Sequence, residues 1–372
     1  MWQFPTSMVA ATRVWVVVVI VVAAGIGGLG FFAGYEYKTS PAASPAAVEN
    51  STLSVLGAGT LDTLFPQVAN ELVNETPGIT APAATQTYEG SIDITTAITS
   101  TGARADVAAV ADYRLIPDML EPAYANYEVV FGTTPEVLAY DPSVAAFAGI
   151  SSSNWAQKLI ADVTTPGNAP LGIWNASTDP NGYNEIFSME LEGMLYYGGN
   201  VSAVYNTFYT TPPGSLAVGN TATTKLEHES QAASLLSTGV VSAVITYQSY
   251  AEVNGLHFVN FNPIVGLLAN NTTALADYAK LSTKIITSTG GLASVGPAPV
   301  LFSITVPLNA PNPALGAAFL HLLLSPQGMA ILTEKNAFYP IFPGWVDHPS
   351  NVPSVLAPDV TPMPAWASAL LT

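Results

Sequence analysis

The sequence predicts an α/β protein of two lobes that follows a single membrane-spanning segment. Short apolar runs alternate with segments of helical period from residue 52 onward, which is typical of parallel sheets with helices between the strands. About 320 residues follow the N-terminal segment, enough for two domains of ordinary size. The composition, 49% apolar and 9% charged residues, allows each domain a large core and excludes a disordered chain.

The charge balance and the rare residue types exclude several classes of function. With 26 acidic and 9 basic residues, the formal net charge is -17, so the chain has no basic surface that could follow a nucleic-acid backbone. The absence of cysteine excludes thiol catalysis, disulfides and thiolate metal sites. Four scattered histidines leave little for a metal site built on imidazole. We expect no cofactor.

Residues 14–35 form the one long stretch without charge, and its 22 residues can cross a bilayer as a helix. Arg13 precedes it and no acidic residue does, so the positive-inside rule places residues 1–13 in the cytoplasm. A cleaved signal peptide is the alternative, although its apolar region is usually about 7 to 15 residues long. The small, proline-containing residues at 36–51 are typical of a linker. We therefore expect a single-pass protein of the cell membrane with its main domain extracellular.

The first part of the outer region shows a repeated strand and helix pattern. Each strand is a short apolar run, and each helix has apolar residues three or four positions apart. The pattern indicates a parallel βαβαβ unit. Its elements are a strand at 53–56, a glycine turn at 57–60, a helix at 61–72, a strand near Ile79, a helix at 92–98 and a strand at 107–110.

A second unit of the same kind follows, and the chain is then expected to return to the first lobe. The return is predicted from a buried strand at 301–306 and the helices after it, at 315–324 and 327–333. The tail from Pro343 is rich in proline and has no helical period, so we expect it to wrap the surface. The elements predicted before the return are strands at 129–131, 137–140, 171–174 and 240–246 and helices at 154–160, 182–197 and 231–236.

Three turns stand where parallel α/β sheets bind their ligands. Such ligands lie beyond the carboxyl ends of the strands, where helix N-termini present free amides and the positive end of the helix dipole. The turns are Gly59 with Thr60, Gly90 with Ser91, and the Asp-Pro-Asn-Gly-Tyr segment at 179–183. Ser, Thr and Asp are also common helix caps and Gly a common turn residue, so each turn alone is weak evidence for a ligand.

The motifs resemble those of the archaeal molybdate/tungstate-binding proteins of ABC transporters, and their order and spacing agree over residues 52–360. The Asp-Pro-Asn-Gly-Tyr segment is similar to an Asp-Pro-Cys-Gly-Tyr segment of that family, and residues 247–251 are similar to its Tyr-Lys-Ser-Val-Ala segment. The segments that carry the resemblance are 57–61, 88–91, 105–117, 179–183, 246–252, 306–307, 324–328 and 346–349.

The resemblance implies a type II periplasmic-binding-protein fold, with a mixed, mostly parallel sheet in each of two lobes that close on the ligand by hinge motion. Residues 52–138 and 299–372 would form lobe I, and residues 139–298 would form lobe II. The resemblance also implies a receptor without enzymatic activity, which passes molybdate or tungstate to the permease of an ABC importer. A monomer is the simplest expectation.

The resemblance further implies a set of ligand-binding residues. In that family small-residue turns of both lobes hold the oxyanion, and in the archaeal branch two carboxylates also reach the metal centre. Carried over by position, the ligand-binding residues would be Thr60, Ser91, Asp179, Tyr183 and Glu252, with Asp179 and Glu252 as oxygen ligands to the metal of the bound oxyanion. A carboxylate can approach such an anion because it meets the metal rather than the oxygen shell. The alternatives are a helix cap for Asp179 and a solvated loop acid for Glu252.

Three positions depart from the family pattern and leave the ligand open. Val110 stands where the family has Ser, Asn181 where it has Cys, and Asn184 where it has Arg. Without a hydroxyl at Val110, either a backbone amide serves as donor or the ligand differs. A receptor for another solute on the same fold, such as sulfate, phosphate, an organic anion or a sugar, is therefore the main alternative.

Two other classes of protein are disfavoured. The sequence contains no nucleophile elbow, no phosphate-binding loop and no His-Glu-x-x-His pair, which argues against an enzyme. A structural cell-surface protein would account for the linker, but it gives no reason for helix-start turns in both lobes. The sequence therefore favours a binding protein.

Overall fold

The computed structural model describes residues 51–226, 229, 231–268, 270–287 and 289–371. The predicted N-terminal region, membrane segment and almost all of the linker lie outside these residues. Within them, no single helix is long and apolar enough to span a membrane, whereas one bent pair, Pro313–Leu323 with Pro326–Lys335, meets the length and composition criteria with a bend of 59°.

Fourteen strands are present among the described residues. They are β1 (Val55–Ala58), β2 (Gln86–Glu89), β3 (Val107–Val110), β4 (Val129–Thr133), β5 (Glu136–Tyr140), β6 (Leu171–Trp174), β7 (Thr223–Leu226), β8 (Ala243–Tyr247), β9 (Phe258–Asn260), β10 (Thr283–Ile286), β11 (Leu292–Val295), β12 (Leu301–Thr305), β13 (Tyr339–Val346) and β14 (Val360–Pro362).

Helices connect most of these strands. The α-helices are α1 (Leu64–Glu75), α2 (Ser91–Thr96), α3 (Trp155–Val163), α4 (Pro180–Tyr196), α5 (Ser202–Tyr205), α6 (Gln231–Ser237), α7 (Gln248–Val253), α8 (Thr272–Tyr278), α9 (Pro313–Leu323), α10 (Pro326–Ala330) and α11 (Ala365–Ser368). Short 3-10 turns lie at Gly59–Leu61, Ala83–Thr85, Ala145–Phe147, Pro349–Asn351 and Ala357–Asp359, and π turns at Ala97–Thr101, Ile116–Leu120 and Ile331–Lys335.

The first sheet has seven strands in the order β14-β13-β4-β12-β3-β1-β2. Strand β1 runs parallel to both β2 and β3, as the βαβαβ pattern predicts. Strand β12 pairs antiparallel with β3 and β4, so the chain returns to this sheet near its end, as expected. We call residues 51–133 and 301–371, which contain this sheet and its helices, lobe I.

The second sheet has five strands in the order β7-β6-β8-β5-β9, and β10 pairs with β11 in a separate antiparallel hairpin. We call residues 136–295, which contain both, lobe II. All of β5 pairs within the second sheet, so the chain passes from the first sheet to the second between Thr133 and Glu136. The sequence analysis expects the first part of lobe I to end at residue 138. The return to the first sheet at Leu301 lies close to the predicted position, residue 299.

Both sheets are mixed, but the prediction that they are mostly parallel is wrong. Among the described strands, parallel and antiparallel pairings are equally frequent in each sheet. Every antiparallel pairing in the two sheets involves β5, β12 or β13. The chain enters β5 and β12 when it passes from one lobe to the other, without the intervening helix that a parallel connection requires.

Two further elements differ from the sequence prediction. The strand expected near Ile79 lies later, at β2, and the region around Ile79 forms only an isolated bridge between Thr52 and Thr80. The tail, expected to wrap the surface, instead supplies β13 and β14 to the first sheet. Strand β13 accommodates Pro343 because its pairing with β4 is interrupted between Pro340 and Trp345.

Helices α1 and α4 show how the two lobes build their cores. Helix α1 is amphipathic, and Phe65 on its buried side lies 5.1 Å from the ring of Phe319 and 6.0 Å from that of Phe131. Helix α4 is buried on all sides from its first residue to Gly193. Because it has no solvent face over that length, its acidic residues lie inside lobe II rather than on the surface. They are Glu185, Glu190 and Glu192.

Candidate functional site

The lobe I side of the candidate site is formed by two turns at the carboxyl ends of neighbouring strands. Strand β1 ends at Ala58 and a 3-10 turn begins at Gly59, while β2 ends at Glu89 and α2 begins at Ser91. Since β1 and β2 are parallel, their carboxyl ends lie at the same edge of the sheet. The turns at Gly59 and Gly90 that the sequence indicates are therefore neighbours.

Lobe II contributes two carboxylates in the same way. Strand β6 leads to Asp179, which caps α4 by accepting a hydrogen bond from the N–H of Asn181 on its Oδ1 at 2.9 Å. Strand β7 runs parallel to β6 and ends shortly before Glu229. Asp179 and Glu229 thus follow the carboxyl ends of adjacent parallel strands.

A small cavity of about 40 Å³ lies between these turns and these carboxylates. Its lining consists of Gly59, Asp62, Tyr88, Glu89, Gly90, Asp179 and Glu229. Among the described residues that line it, four are acidic and none is a lysine or an arginine. A solute in the cavity would therefore meet carboxyl groups and backbone, not fixed positive side chains.

Glu229 connects the two sides of the cavity. Its Oε2 accepts a hydrogen bond from the hydroxyl of Thr60, across the lobes, at 2.5 Å, and its Oε1 accepts one from the hydroxyl of Thr246 at 3.2 Å. Burial, and then the negative charge of Asp179, raise the pKa of Glu229. The Glu229 carboxyl therefore keeps its proton to a higher pH than an exposed glutamate does, which reduces its repulsion of Asp179.

Backbone contacts join the two lobes at Gly90, one of the residues that line the cavity. The N–H of Ile92 in lobe I donates to the carbonyl of Thr178 in lobe II at 3.1 Å. Gly90 lies against the same carbonyl, and a Cβ atom at Gly90 would be 2.3 Å from the Thr178 oxygen. Any other residue at Gly90 would therefore force the two lobes apart at this point.

Tyr183 forms a second contact between the lobes. Its hydroxyl donates to Oδ2 of Asp112 at 2.7 Å, and the same oxygen lies 2.6 Å from Nη2 of Arg114. Burial opposes ionisation of Asp112, but the adjacent Arg114 guanidinium and the Tyr183 hydroxyl lower its pKa below the ordinary value. Tyr183 is fully buried and does not line the cavity. The structure thus places it as a link between α4 and the loop after β3.

Ser91 and Val110 lie beside the cavity without lining it. The Oγ of Ser91 accepts a hydrogen bond from the N–H of Ala111 at 2.9 Å, which joins the start of α2 to the end of β3. A hydroxyl that accepts one bond can still donate another. The side chain of Val110 packs in an apolar cluster with Ile98 and Ile116, so the position where the family has Ser offers no donor to the cavity.

The structure does not bring Glu252 to the cavity. Glu252 is exposed near the end of α7, where its Oε1 accepts a hydrogen bond from Nε2 of Gln248 at 2.5 Å. Strand β8, which precedes α7, is parallel to β6, but each helical residue carries the chain about 1.5 Å further from the strand end. The carboxyl group that lies beside Asp179 belongs to Glu229.

Among the described residues that line the cavity, Asp62 and Glu229 belong to neither the predicted turns nor their neighbouring strands, and Glu229 is the one far from those turns in the sequence. Strand β7, which delivers it, is an edge strand with Lys225 exposed, so it shows none of the continuous apolar character by which the other strands were predicted. The signal that could have revealed it is the Glu-His-Glu run at 227–229 immediately before the helical period of α6.

A larger depression of about 420 Å³ lies in lobe II, away from the predicted residues. Trp174, Tyr209, Lys225 and Lys284 are among the residues that line it, and no carboxylate does. It is open to solvent and belongs to lobe II alone, whereas the small cavity joins groups from both lobes. We therefore take the small cavity as the candidate site.

Comparisons with known proteins agree with this architecture. The molybdate/tungstate-binding proteins WtpA of Pyrococcus abyssi and Thermococcus kodakarensis are 26% and 27% identical to the chain, cover 83% and 82% of it, and are covered over 88% and 87% of their own length. An uncharacterized solute-binding protein of Methanoculleus marisnigri is 28% identical, with 83% and 88% covered. The resemblance seen in the sequence motifs is thereby confirmed.

A solved structure and a family model complete the comparison. The substrate-binding protein of an ABC transporter from Agrobacterium tumefaciens superposes with a TM-score of 0.52 at 15% identity, over 80% of this chain and 84% of its own. This likeness concerns the fold. The model of the bacterial extracellular solute-binding proteins matches residues 53–336, most of the chain. The chain therefore belongs to the family of bacterial extracellular solute-binding proteins.

Proposed function

We propose that the protein is an extracytoplasmic receptor that binds molybdate or tungstate in the cavity between its lobes and delivers the ion to the permease of an ABC importer. The observation that carries the proposal is the pairing of Asp179 and Glu229 in a small cavity whose opposite wall includes the Gly59 and Gly90 turns. The names of the WtpA relatives supply the ligand class.

The size of the cavity favours a small inorganic ion. A cavity of about 40 Å³ holds roughly three to four water-sized groups, since one water requires about 10–15 Å³ measured in this way. A tetrahedral oxyanion has that size, whereas a sugar or a larger organic anion does not fit without separation of the lobes. Size thus disfavours two of the alternatives considered from the sequence.

The carboxyl groups favour molybdate and tungstate over sulfate and phosphate. Molybdenum and tungsten can accept further oxygen ligands beside their own oxygens, so Asp179 and Glu229 would bind the metal centre directly. Sulfur and phosphorus in their tetrahedral anions do not add such ligands, so an ionised Asp179 would repel these anions without binding their central atom. The N-terminus of α4, a helix of 17 residues, adds a favourable positive potential beside the oxygens of the anion.

The raised pKa of Glu229 bears on the charge of the occupied cavity. A dianion beside two ionised carboxylates would be strongly repelled, and a proton held by Glu229 removes one of these charges. Binding is therefore accompanied by retention or uptake of a proton at the site.

The proposal includes the cellular context inferred from the sequence. Residues 14–35 would hold the protein in the cell membrane, with the linker at 36–51 giving the lobes reach toward the permease. The receptor would act as a monomer and catalyse no reaction. The family, one of extracellular solute-binding proteins, is consistent with a location outside the cytoplasm.

The test is isothermal titration of the full-length protein with tungstate, molybdate, sulfate and phosphate. We expect submicromolar affinity for the first two ions and no measurable heat for the others. The variants Asp179→Asn and Glu229→Gln should each weaken tungstate binding at least about tenfold, because each removes one oxygen ligand. The matched control is Glu252→Gln, which replaces an exposed glutamate outside the cavity and should bind like the wild type.

Two results would contradict parts of this proposal. Unchanged affinity in Glu229→Gln together with loss of affinity in Glu252→Gln would restore the assignment made from the sequence. If the wild type gives no binding heat with any of the four ions, the proposal of an oxyanion receptor is wrong.

A metal cation is the second candidate ligand, because four acidic residues line the cavity. Carboxylates are the ordinary ligands of hard cations, and they need no proton when the bound ion is positive. Titration with Mn²⁺ and Fe³⁺ under the same conditions distinguishes the two. Binding of a cation that Glu229→Gln abolishes, without binding of tungstate, would replace the first candidate by the second.

A further inference from the structure

A cluster of three ligating side chains lies outside the cavity, where the tail of the chain meets lobe I. Glu121 follows the π turn Ile116–Leu120, while Asp347 and His348 follow β13. We call these three residues the tail cluster. One potential ligand atom from each of them lies within 4.8 Å of those of the other two. Nε2 of His348 is 3.2 Å from Oε2 of Glu121 and 3.8 Å from Oδ2 of Asp347.

The Asp347 carboxylate is held in place with one oxygen directed into the tail cluster. Its Oδ1 accepts hydrogen bonds from two backbone N–H groups, those of Glu128 at 2.8 Å and His348 at 2.7 Å. Its Oδ2, on a side chain that is only 5% exposed, accepts no hydrogen bond from an N–H group or a Ser, Thr or Tyr hydroxyl in the described part of the chain. A fixed, buried and unpartnered carboxylate oxygen is costly unless a ligand satisfies it.

Two more buried acidic groups lie in the same place. Oε1 of Glu121, whose side chain is 10% exposed, has no hydrogen-bond partner among the described residues. Both carboxylate oxygens of the fully buried Glu128 also lack a well-formed hydrogen bond among the described residues.

The protein supplies little positive charge to these groups. No lysine or arginine forms an ion pair with Glu121, Glu128 or Asp347 within the described ranges. The one imidazole available, that of His348, is 57% exposed and can contribute at most a single charge when protonated. A hydrogen bond between the Glu121 and Asp347 carboxyls would satisfy one of these oxygens, and an ion pair with His348 still leaves the others, those of Glu128 included, without a partner among the described residues.

We propose that the tail cluster is a binding site for a divalent transition-metal ion of the Zn²⁺ class. Two carboxylates and an imidazole are a donor set that zinc commonly takes, with water completing the coordination. A hard cation such as Ca²⁺ prefers oxygen donors alone, which the His348 imidazole does not provide. Water would reach the bound ion from the solvent-exposed side of the tail cluster, where His348 lies.

The bound ion would fasten the tail to the body of lobe I. Strand β13 and the segment after it come from the end of the chain, whereas Glu121 comes from its first third. A metal bound by both closes a long loop of chain and stabilises the folded state, because the unfolded chain cannot hold the three ligands together. The site is separate from the cavity, since none of the three residues lines it.

The experiment is a titration of the full-length, EDTA-treated protein with ZnCl₂ at pH 7.5, with MgCl₂ and CaCl₂ as comparison ions. We expect one Zn²⁺ per chain at micromolar affinity or better, and weaker binding of the other two ions. His348→Ala and Glu121→Gln should each lower the zinc affinity at least about tenfold. His257→Ala, which removes another exposed histidine, is the matched control and should bind like the wild type.

A second readout separates loss of the site from loss of the fold. Zn²⁺ should raise the midpoint of thermal unfolding of the wild type and of Glu229→Gln, but not that of Asp347→Asn, which keeps an oxygen for the two backbone amides and loses the other. Absence of zinc binding by the wild type, or equal binding by wild type, His348→Ala and Glu121→Gln, would overturn the proposal. Loss of zinc binding in Glu229→Gln would also overturn it, because the ion would then occupy the cavity.

Discussion

Helices α1 and α4 fill the centres of the two lobes by opposite means. Helix α1 buries one apolar face and leaves Glu75 exposed, so the Glu75 carboxylate remains solvated in the folded protein. Helix α4 is buried on all sides, and the carboxyls of Glu185 and Glu190 lie inside lobe II with at least one oxygen each without a hydrogen-bond partner among the described residues. The contribution of α1 to stability should therefore not depend on pH. The contribution of α4 should fall when its buried carboxyls ionise.

This difference predicts that the two lobes respond differently to pH. Burial raises the pKa of Glu190 to about 8, and burial, opposed by a hydrogen bond from Trp155, raises that of Glu192 to about 7. No acidic residue of α1 is buried to a comparable degree. The following predictions test this contrast, beginning with the largest effect.

Truncation of the apolar side of α1 should have the largest effect. Phe65→Ala removes a fully buried ring that contacts Phe131 and Phe319, and we expect the free energy of unfolding to fall by about 3–5 kcal/mol. The loss should be equal at pH 5 and pH 8, because no titrating group is involved. Denaturant unfolding of the full-length protein at both pH values measures it, and a loss confined to one pH would contradict the contrast.

The wild-type protein should lose stability as the pH rises from 4.5 to 8. In this interval the folded state keeps the protons of Glu190 and Glu192, whereas the unfolded chain, with glutamate pKa values near 4.5, releases them. Each pKa unit corresponds to about 1.4 kcal/mol, so pKa values of about 8 and 7 set an upper bound of about 8 kcal/mol. Because the folded protein relaxes and admits water around an ionised carboxylate, we expect a decrease on the order of 3 kcal/mol in total. Unfolding free energies measured at half-unit pH steps give the slope, and a rise in stability over this interval would contradict the prediction.

The hydrogen-bonded Tyr183 hydroxyl of α4 should contribute to the free energy of unfolding equally at every pH tested. Tyr183→Phe removes the hydroxyl that donates to the charged Asp112, and we expect a loss of about 1.5–3 kcal/mol. Because the pKa of Asp112 lies below the ordinary range, the loss should not change between pH 5 and pH 8. The measurement is the same denaturation series. Stability equal to wild type would mean that the contact between α4 and lobe I contributes nothing.

The unpaired acid of α4 should show the opposite behaviour and the smallest effect. Glu190→Gln replaces the carboxyl by a neutral group of the same shape, so we expect a gain of about 1–2 kcal/mol at pH 8 and little change at pH 5. Glu75→Gln on the exposed face of α1 is the matched control, with no change at either pH. A loss of stability in Glu190→Gln at pH 8 would show that the ionised carboxylate has a partner.

The sequence predicts elements well where burial is one-sided or complete. The helical period of α1 and the apolar runs of β3, β6 and β12 are visible because each core position repeats along the chain. Strand β7 and the strands of the tail have no such signal. Strand β7 is an edge strand with polar residues, and β13 and β14 contain prolines, which are uncommon in strands. Their pairing depends on distant partners that the local sequence does not reveal.

The site could be predicted in part for the same reason. The turns at Gly59 and Gly90 and the cap at Asp179 follow strands whose apolar runs are clear, and the structure places these three positions around one cavity. Tyr183 and Glu252 were selected by their place in a motif. A motif fixes the order of residues but not the direction of a side chain, and here one side chain joins the lobes while the other faces solvent.

The contact between Gly90 and Thr178 has a kinetic consequence for the proposed receptor. An ion enclosed behind this contact leaves only after the hydrogen bond from Ile92 to Thr178 breaks, so its residence time follows the rate at which the lobes separate. A permease that pulls the Thr178 turn away from Gly90 would unload the receptor without competing for its ligand. A side chain at position 90, which keeps the lobes apart, would turn slow release into rapid exchange.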